Sequence, residues 1–205
     1  MPQTKLKIAI QKSGRLSEDL LALFKESGIK FSNGQRKLRT LASNFPVEFL
    51  FLRNSDIPGY VADGIADLGI IGRNIFLEER KEIIEIKALG FSKCRMSLAV
   101  PREVEYQGLG YFRDQCIATS YPVILKKFLD EQNISVDVHK ISGSVEIAPG
   151  IGLLVGIFDI VSTGSTLISN GLKEVETVLH SEAILVANKD LDQEKNKLIE
   201  QLLFR

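Results

Sequence analysis

Residues 157–167 constrain the fold more than any other part of this chain. An apolar run ends at Val161, a turn of small hydroxyl residues around Gly164 follows, and a helical start comes directly after it. The order of strand, glycine-containing turn and helix is the repeating unit of an open α/β sheet, whose ligands bind at the carboxyl ends of the strands. The segment therefore predicts an α/β fold with a ligand turn at this position.

The composition of the same turn points to an anion. Main-chain N–H groups at a helix start, together with the helix dipole, attract negative charge, and Gly164 lets the backbone approach closely. Asp159, near the strand end, could accept a hydrogen bond from a ribose hydroxyl. The pattern alone is equally consistent with a surface turn that carries an ordinary Ser/Thr helix cap. The additional donors are the hydroxyls of Ser162, Thr163, Ser165 and Thr166.

Composition narrows the classes of partner. The 205 residues are 44% hydrophobic and 25% charged, which is enough for one large domain or two small ones. The formal net charge is zero, so no general basic field attracts nucleic acid, and any site for polyanions must be built locally. No apolar run is long enough to cross a bilayer. We therefore expect neither a nucleic acid nor a membrane as partner.

Cysteine and histidine usage argues against a zinc site. The two cysteines, Cys94 and Cys116, stand in apolar runs, and the two histidines, His139 and His180, are far apart in sequence. This spacing does not match a set of zinc ligands. Reduced cysteines indicate the cytoplasm as the compartment.

Strand and helix patterns repeat in two series, with breaks near residues 90 and 180. They predict one lobe from residues 1–90 plus 181–205 and a second lobe from residues 91–180. The amphipathic helix over 192–204 is expected to pack on the first lobe. Ligand turns of the two lobes would then face a shared cleft, a favoured place for small-molecule sites.

The first series contains its own candidate turn. Lys12-Ser13-Gly14-Arg15 joins the first strand to the first helix, at the position where anions bind in such sheets. Taken by spacing alone, a solvated basic turn is the favoured interpretation. Arg36, Lys37 and Arg39 form a second basic cluster, which is also interpreted as solvated surface.

Seven strings, taken in chain order, resemble the ATP phosphoribosyltransferase family, whose members catalyse the first step of histidine biosynthesis. The resemblance extends from residue 6 to the last helix and implies two lobes, each a β-sheet flanked by helices, as in type II periplasmic solute-binding proteins. The strings are QKSGRLS at 11–17, LRNSDIPG at 52–59, DGIADLGIIG at 63–72, CRMSLAVP at 94–101, IATSYP at 117–122, GSVEIAP at 143–149 and DIVSTGSTL at 159–167.

The resemblance also implies a reaction. Adenine N1 of ATP attacks C1 of 5-phosphoribosyl-1-pyrophosphate (PRPP), pyrophosphate leaves, and magnesium accompanies the substrate phosphates rather than a protein cage. The turn from Ser162 to Thr166, including Gly164, is implied to hold the 5-phosphate of PRPP, and Asp159 the ribose hydroxyls. Arg36 and Arg53 are implied as the catalytic cations that meet phosphate and pyrophosphate charge.

The first lobe is implied to hold the nucleotide and diphosphate. Glu146, in the second lobe, could bind a ribose hydroxyl or magnesium, and a carboxylate that only favours a helix start is an open alternative. The residues implied to line the nucleotide and diphosphate side are Lys12, Gly14, Arg15, Asp67, Gly69 and Gly72.

Two departures from the family leave the assembly open. The motifs resemble its long form, which continues into a histidine-binding domain, whereas the chain stops at Arg205; it is therefore either a short form or the catalytic core of a longer protein. Short forms work with a regulatory subunit similar to histidyl-tRNA synthetase, and the apolar residues 202–204 predict a homodimer. Residues 150–156 are more apolar than in the family. The alternative function is a non-catalytic two-lobed binding or regulatory protein.

Overall fold

The computed structural model describes residues 4–31, 38–151 and 154–203. The chain divides into two compact units, one formed by Met1–Ser92 together with Glu182–Arg205 and the other by Lys93–Ser181. Within the described ranges, no helix is both long enough and apolar enough to span a membrane.

Strands and helices alternate over most of the described chain. The strands are β1 (Leu6–Gln11), β2 (Arg39–Leu41), β3 (Val47–Leu52), β4 (Leu68–Gly72), β5 (Ile83–Ala88), β6 (Cys94–Pro101), β7 (Cys116–Thr119), β8 (Asp137–Lys140), β9 (Gly156–Val161), β10 (Leu172–Ser181) and β11 (Ala183–Asn188). The helices are α1 (Arg15–Glu26), α2 (Ile57–Ala62), α3 (Arg73–Glu79), α4 (Pro122–Glu131), α5 (Ser165–Ser169) and α6 (Gln193–Leu203), with 3₁₀ turns at Leu109–Phe112 and Val145–Ile151.

The first unit is built on a six-stranded mixed sheet in the order β2-β3-β1-β4-β11-β5. The central strand β1 runs parallel to β3 and to β4, so the carboxyl ends of these three strands lie at one edge of the sheet. Strand β11 returns antiparallel between β4 and β5. The turns that follow β1, β3 and β4 are therefore neighbours.

Helices α1 and α6 cover one face of this sheet. Leu20 and Phe24 of α1 pack with Ile8 and Phe49, and Ile199 of α6 joins the same core at 6% exposure. Leu198, Leu202 and Leu203 are partly buried against that core. Leu202 and Leu203 are thus partly covered by their own unit, and Phe204 lies outside the described residues.

The second unit is built on a five-stranded mixed sheet in the order β10-β6-β9-β7-β8. Strand β9 runs parallel to β7 and antiparallel to β6, which places Arg95 opposite Val161. The short helix α5 is anchored by Leu167, which is 5% exposed and packs with Val161 in a small apolar core. The packing presents the turn before α5 at the edge of the sheet.

The predicted fold class, two sheets each flanked by helices, is confirmed. The interpretation of the basic segment as solvated surface agrees with the structure at Arg39, whose side chain is 77% exposed and lies 2.9 Å from Glu48. Arg39 also begins the short edge strand β2. Three residues in a strand are too few for a visible alternation of apolar side chains. Arg36 and Lys37, and residues 152–153 of the apolar stretch, lie outside the described residues.

Candidate active site

The turn between β9 and α5 is open to solvent at its polar atoms. Ser162, Thr163, Ser165 and Thr166 are all exposed, and Oγ1 of Thr163 lies 2.9 Å from Oγ of Ser165. Gly164 adopts φ +82°, a left-handed conformation that favours glycine, and it offers no side chain to cap α5. The first N–H groups of a helix have no partner within it. Hydroxyls and N–H groups are thus available to an anion.

Asp159 lies two residues before the end of β9, and its carboxylate is partly buried. Its Oδ1 accepts a hydrogen bond from the N–H of Ile160 at 2.7 Å. Burial raises the pKa of Asp159 to about 6, the Ile160 N–H opposes the rise, and the negative charge of Glu146 adds to it. Asp159 and Glu146 are therefore close enough to interact electrostatically. The 3₁₀ turn that carries Glu146 lies against β9, the strand that carries Asp159.

A second group of predicted residues gathers at the carboxyl edge of the first sheet. The N–H of Lys12, just after β1, donates to the carbonyl of Leu52 at the end of β3, over 2.9 Å. Arg53 follows directly, and Gly72 ends β4 on the other side of β1. Gly14 adopts φ +101° and stands before α1 without a capping side chain. The turns after three parallel strands are thus adjacent.

The cations at this edge are free to meet a ligand. Lys12, Arg15 and Arg53 are exposed, and no other described residue forms an ion pair or a side-chain hydrogen bond with them. Arg73, at the start of α3, differs because its guanidinium contacts Glu85 and Glu182. Lys12, Arg15 and Arg53 can therefore supply positive charge to phosphates, whereas the guanidinium of Arg73 is already paired with two carboxylates of its own unit.

Asp67 lies away from this edge, directly before the first residue of β4. It is 3% exposed, its Oδ2 accepts the N–H of Lys7 at 2.7 Å, and its Oδ1 lies 2.8 Å from Nζ of Lys195. The structure therefore gives Asp67 a role in holding the unit together rather than a place among the ligand turns.

Gly69 is the second residue of β4 and is buried. A Cβ atom there would come within 2.7 Å of Ile57 Cγ2 and 2.9 Å of Val61 Cγ2. No side chain fits at such distances, so this glycine allows α2 to pack closely on the sheet. Its position explains the residue by packing and not by contact with a ligand.

Arg95 contacts the hydroxyl turn, and neither Arg95 nor its partner Glu174 was among the predicted site residues. Arg95 Nη1 donates to the carbonyl oxygen of Ser162 at 3.2 Å, and its other nitrogens bind Glu174. The available signal was a charged residue inside the otherwise apolar run of β6. Its partner lies 79 residues further on, so the sequence did not indicate the pair.

The side chains available as metal ligands indicate how the magnesium that the family implies could be bound. Among the described residues, no group of three or more His, Cys, Asp or Glu side chains is arranged to hold a metal ion. Mg²⁺ keeps several waters and commonly binds through one or two carboxylates plus substrate phosphates. The carboxylates of Asp159 and Glu146, which interact electrostatically, fit that manner of binding.

The fold defines a class of protein. The alkanesulfonate-binding protein SsuA from Xanthomonas axonopodis pv. citri, solved with bound MOPS, matches with a TM-score of 0.61 at 10% identity, over 98% of this chain and 71% of that one. At this identity the likeness concerns the fold alone. The chain thus has the architecture of solute-binding proteins, with exposed polar turns on both units.

Closer matches identify the family. A family model described as HisG, ATP phosphoribosyltransferase, matches residues 53–205. An ATP phosphoribosyltransferase of Cytophaga hutchinsonii is 57% identical over 202 residues, which is 98% of this chain and 71% of the relative. The ATP phosphoribosyl transferase (HisG:HisZ) complex from Thermotoga maritima matches with a TM-score of 0.80 at 27% identity, over 96% of this chain and 94% of that one. The chain belongs to the ATP phosphoribosyltransferase family, a family of transferases in histidine biosynthesis.

Proposed function

We propose that this chain transfers the phosphoribosyl group of PRPP to N1 of ATP, with release of pyrophosphate. Family membership carries the proposal. The exposed hydroxyl turn supports it, because a phosphoribosyl substrate needs a phosphate site near a carboxylate that can accept ribose hydroxyls. Asp159 lies three residues before Ser162 and fits that requirement.

The 5-phosphate is proposed to bind at the turn from Ser162 to Thr166. Exposed hydroxyls and the N–H groups at the start of α5 can donate to its oxygens, and the left-handed backbone at Gly164 shapes the turn. Leu167 holds the following helix to the sheet, so the donors are positioned before the ligand arrives. Such preorganised donors stabilise charge more effectively than mobile ones.

The pyrophosphate and triphosphate groups are proposed to meet the free cations of the first unit, Lys12, Arg15 and Arg53. The reaction requires little acid–base help, because adenine N1 already carries a lone pair. Its main needs are correct positioning and charge stabilisation as pyrophosphate departs, and positioning can supply roughly 7–11 kcal/mol of a barrier. Arg53 is proposed as the catalytic cation among the described residues, and Gly14 and Gly72 as the backbone of the nucleotide side. Arg36 is proposed to share the role of Arg53 on the strength of the family pattern.

Magnesium is proposed to arrive on the substrate phosphates. When bound, it neutralises part of the charge that develops on the leaving pyrophosphate. Glu146 is the proposed protein carboxylate beside it, and Asp159 is assigned to the ribose hydroxyls. The partial burial of Asp159 strengthens its hydrogen bonds to these hydroxyls.

A direct assay tests the reaction. The purified chain is mixed with ATP, PRPP and magnesium chloride, and formation of N1-alkylated adenine is followed by absorbance, with pyrophosphate release measured in parallel. We expect both signals together, and neither when PRPP is omitted. A folded chain that binds PRPP but forms no product would support a non-catalytic binding protein instead.

We also propose that the chain self-associates and that it can bind a regulatory subunit of the HisZ type, as in the Thermotoga maritima complex. The edge strand β5 supports self-association, because Ile84 and Ile86 are 47% and 40% exposed there. Sedimentation of the wild type and of an Ile86→Lys variant tests it. We expect a dimer that the charged side chain weakens; a monomeric wild type would contradict the proposal.

A further inference from the structure

A guanidinium–carboxylate pair lies behind the hydroxyl turn. Arg95 occupies the second position of β6, opposite the last residue of β9, and its Nη1 donates to the carbonyl oxygen of Ser162 at 3.2 Å. Its Nε lies 2.6 Å from Oε1 of Glu174 and its Nη2 lies 2.5 Å from Oε2. The two parallel bonds hold the guanidinium plane in one orientation, with one edge left for the turn.

Glu174 is aimed at Arg95 by an irregularity in its strand. The register of β10 against β6 shifts between Glu174 and Glu176, and such bulges redirect side chains. The carboxylate also accepts hydrogen bonds from Ser97 at 2.7 Å and from Thr177 at 3.3 Å. Together these hydrogen bonds hold the pKa of Glu174 below its usual value, and the bond from Arg95 contributes most. The pair is therefore charged and firmly oriented at neutral pH.

The contact with Ser162 controls more than one carbonyl group. The carbonyl of Ser162 and the N–H of Thr163 belong to the same planar peptide unit and point in opposite directions. A donor that fixes the carbonyl on the Arg95 side therefore turns the Thr163 N–H to the other side. A positive charge on the carbonyl also polarises the peptide and strengthens its N–H as a donor.

We propose that Arg95 is a positioning residue for PRPP binding, which Glu174 orients, and that it acts by fixing the peptide between Ser162 and Thr163. The inference rests on the proposed function, since it assumes that the turn from Ser162 to Thr166 binds the 5-phosphate. It adds two residues that act on the phosphate through the backbone. Neither contacts the substrate in this role.

A direct contact between Arg95 and the phosphate makes the opposite prediction for Glu174. If Arg95 bound the phosphate itself, Glu174→Gln would remove a competing negative charge and strengthen PRPP binding. If Arg95 acts by orientation, the same substitution loosens the guanidinium and weakens binding. The sign of the effect therefore separates the two roles.

The experiment measures PRPP binding by calorimetry in the presence of magnesium for the wild type, Arg95→Lys and Glu174→Gln. We expect Kd for PRPP to rise about 10-fold in Arg95→Lys and somewhat less in Glu174→Gln, the range typical of a lost charge-assisted hydrogen bond. The KM for ATP should stay within about twofold of the wild type. A general loss of structure would weaken the binding of both substrates and would not affect PRPP alone. Thermal unfolding of each variant verifies that it is folded.

Arg113→Lys is the matched control. Arg113 belongs to the same unit and donates Nη1 to the carbonyl of Asn133 at 3.2 Å, away from the turn. It should leave PRPP affinity unchanged. Wild-type affinity in both Arg95→Lys and Glu174→Gln, or tighter binding in Glu174→Gln, overturns the inference. Gly164→Val separates failure of the proposed phosphate site from failure of the role of Arg95. If this variant also binds PRPP normally, the turn is not the phosphate site. If it loses PRPP binding while Arg95→Lys and Glu174→Gln bind normally, only the role of Arg95 is refuted.

Discussion

Nζ of Lys195 lies 2.8 Å from Oδ1 of Asp67, although 128 residues separate them in the sequence. Lys195 belongs to α6, Asp67 directly precedes β4, and Asp67 is 3% exposed. The other carboxylate oxygen accepts the N–H of Lys7. The pair attaches α6 to the sheet of the first unit.

Lys195→Met should lower the free energy of unfolding by about 1–3 kcal/mol, because it leaves a buried carboxylate without its cation. Urea denaturation measures the loss. Lys197→Met is the control on the same helix, since Lys197 is exposed, and it should change stability little. The KM for ATP should be unaffected in both. A raised KM for ATP in folded Lys195→Met would indicate that Asp67 serves the nucleotide after all.

Gly164→Ala and Gly164→Val should weaken PRPP binding through the backbone. The nearest atom to an added Cβ is Val161 Cγ1 at 3.9 Å, so space is available, but φ is +82°. A side chain at such a φ costs roughly 1–2 kcal/mol, and more for a branched one, which shifts the turn. Calorimetry should show at least about a 10-fold loss of PRPP affinity.

Gly171→Ala is the matched control for this loss. Gly171 follows α5 at φ +70° with nothing within 4 Å of an added Cβ. It should cost similar stability without changing PRPP affinity. Equal losses of affinity in the Gly164 and Gly171 variants would mean that backbone strain in general, rather than the turn, controls binding.

Arg53→Ala should lower kcat by about 100-fold or more, with a smaller effect on the KM for ATP, because leaving-group charge develops mainly in the transition state. Arg53→Lys should recover only part of the rate, since an ammonium does not reproduce a two-pronged contact. Steady-state kinetics measures both. Arg39→Ala, on the neighbouring strand, is the control: Arg39 pairs with Glu48 at the surface and should leave kcat unchanged. Normal turnover in Arg53→Ala would remove this residue from the mechanism.

Asp159 should make both stability and PRPP binding depend on pH near 6. Burial raises the pKa of its carboxyl to about 6, above the value near 4 of an unfolded chain. Between these values the folded state holds the proton more tightly, so the contribution of Asp159 to stability falls as pH rises from about 4 to 6 and is level above. Asp159→Asn should therefore be more stable than the wild type at pH 7, by on the order of 2 kcal/mol, and the difference should vanish below about pH 4.

PRPP binding should show the opposite trend. Ribose hydroxyls donate best to the ionised carboxylate, so wild-type affinity should fall as pH drops below about 6. Asp159→Asn should show a shallower fall, because only the protonation of the 5-phosphate then remains. Denaturation and calorimetry at several pH values test both trends. An Asn variant that is no more stable than the wild type at pH 7 would contradict the raised pKa.

Much of this protein was already determined by short stretches of its sequence. The sequence pattern predicted the first strand and the first helix, which are β1 and α1 in the structure, because an element is set by residues a few positions apart. The turn around Gly164 was also predicted locally, since its hydroxyls and its glycine are consecutive. The motifs that carried the family resemblance are short strings of the same kind, and the comparisons confirmed the family.

Tertiary structure alone decided what several of those residues do. Asp67 and Gly69 belong to a family motif, yet the carboxylate binds Lys195 and the glycine admits α2, contacts that depend on how helices pack on the sheet. Arg95 and Glu174 meet only because β6 and β10 pair in a register interrupted by a bulge. Propensity and spacing describe neighbours along the chain, whereas contacts between residues tens of positions apart arise from strand register and packing. The physical reason is that the energy of such contacts is gained only after the chain has closed on itself.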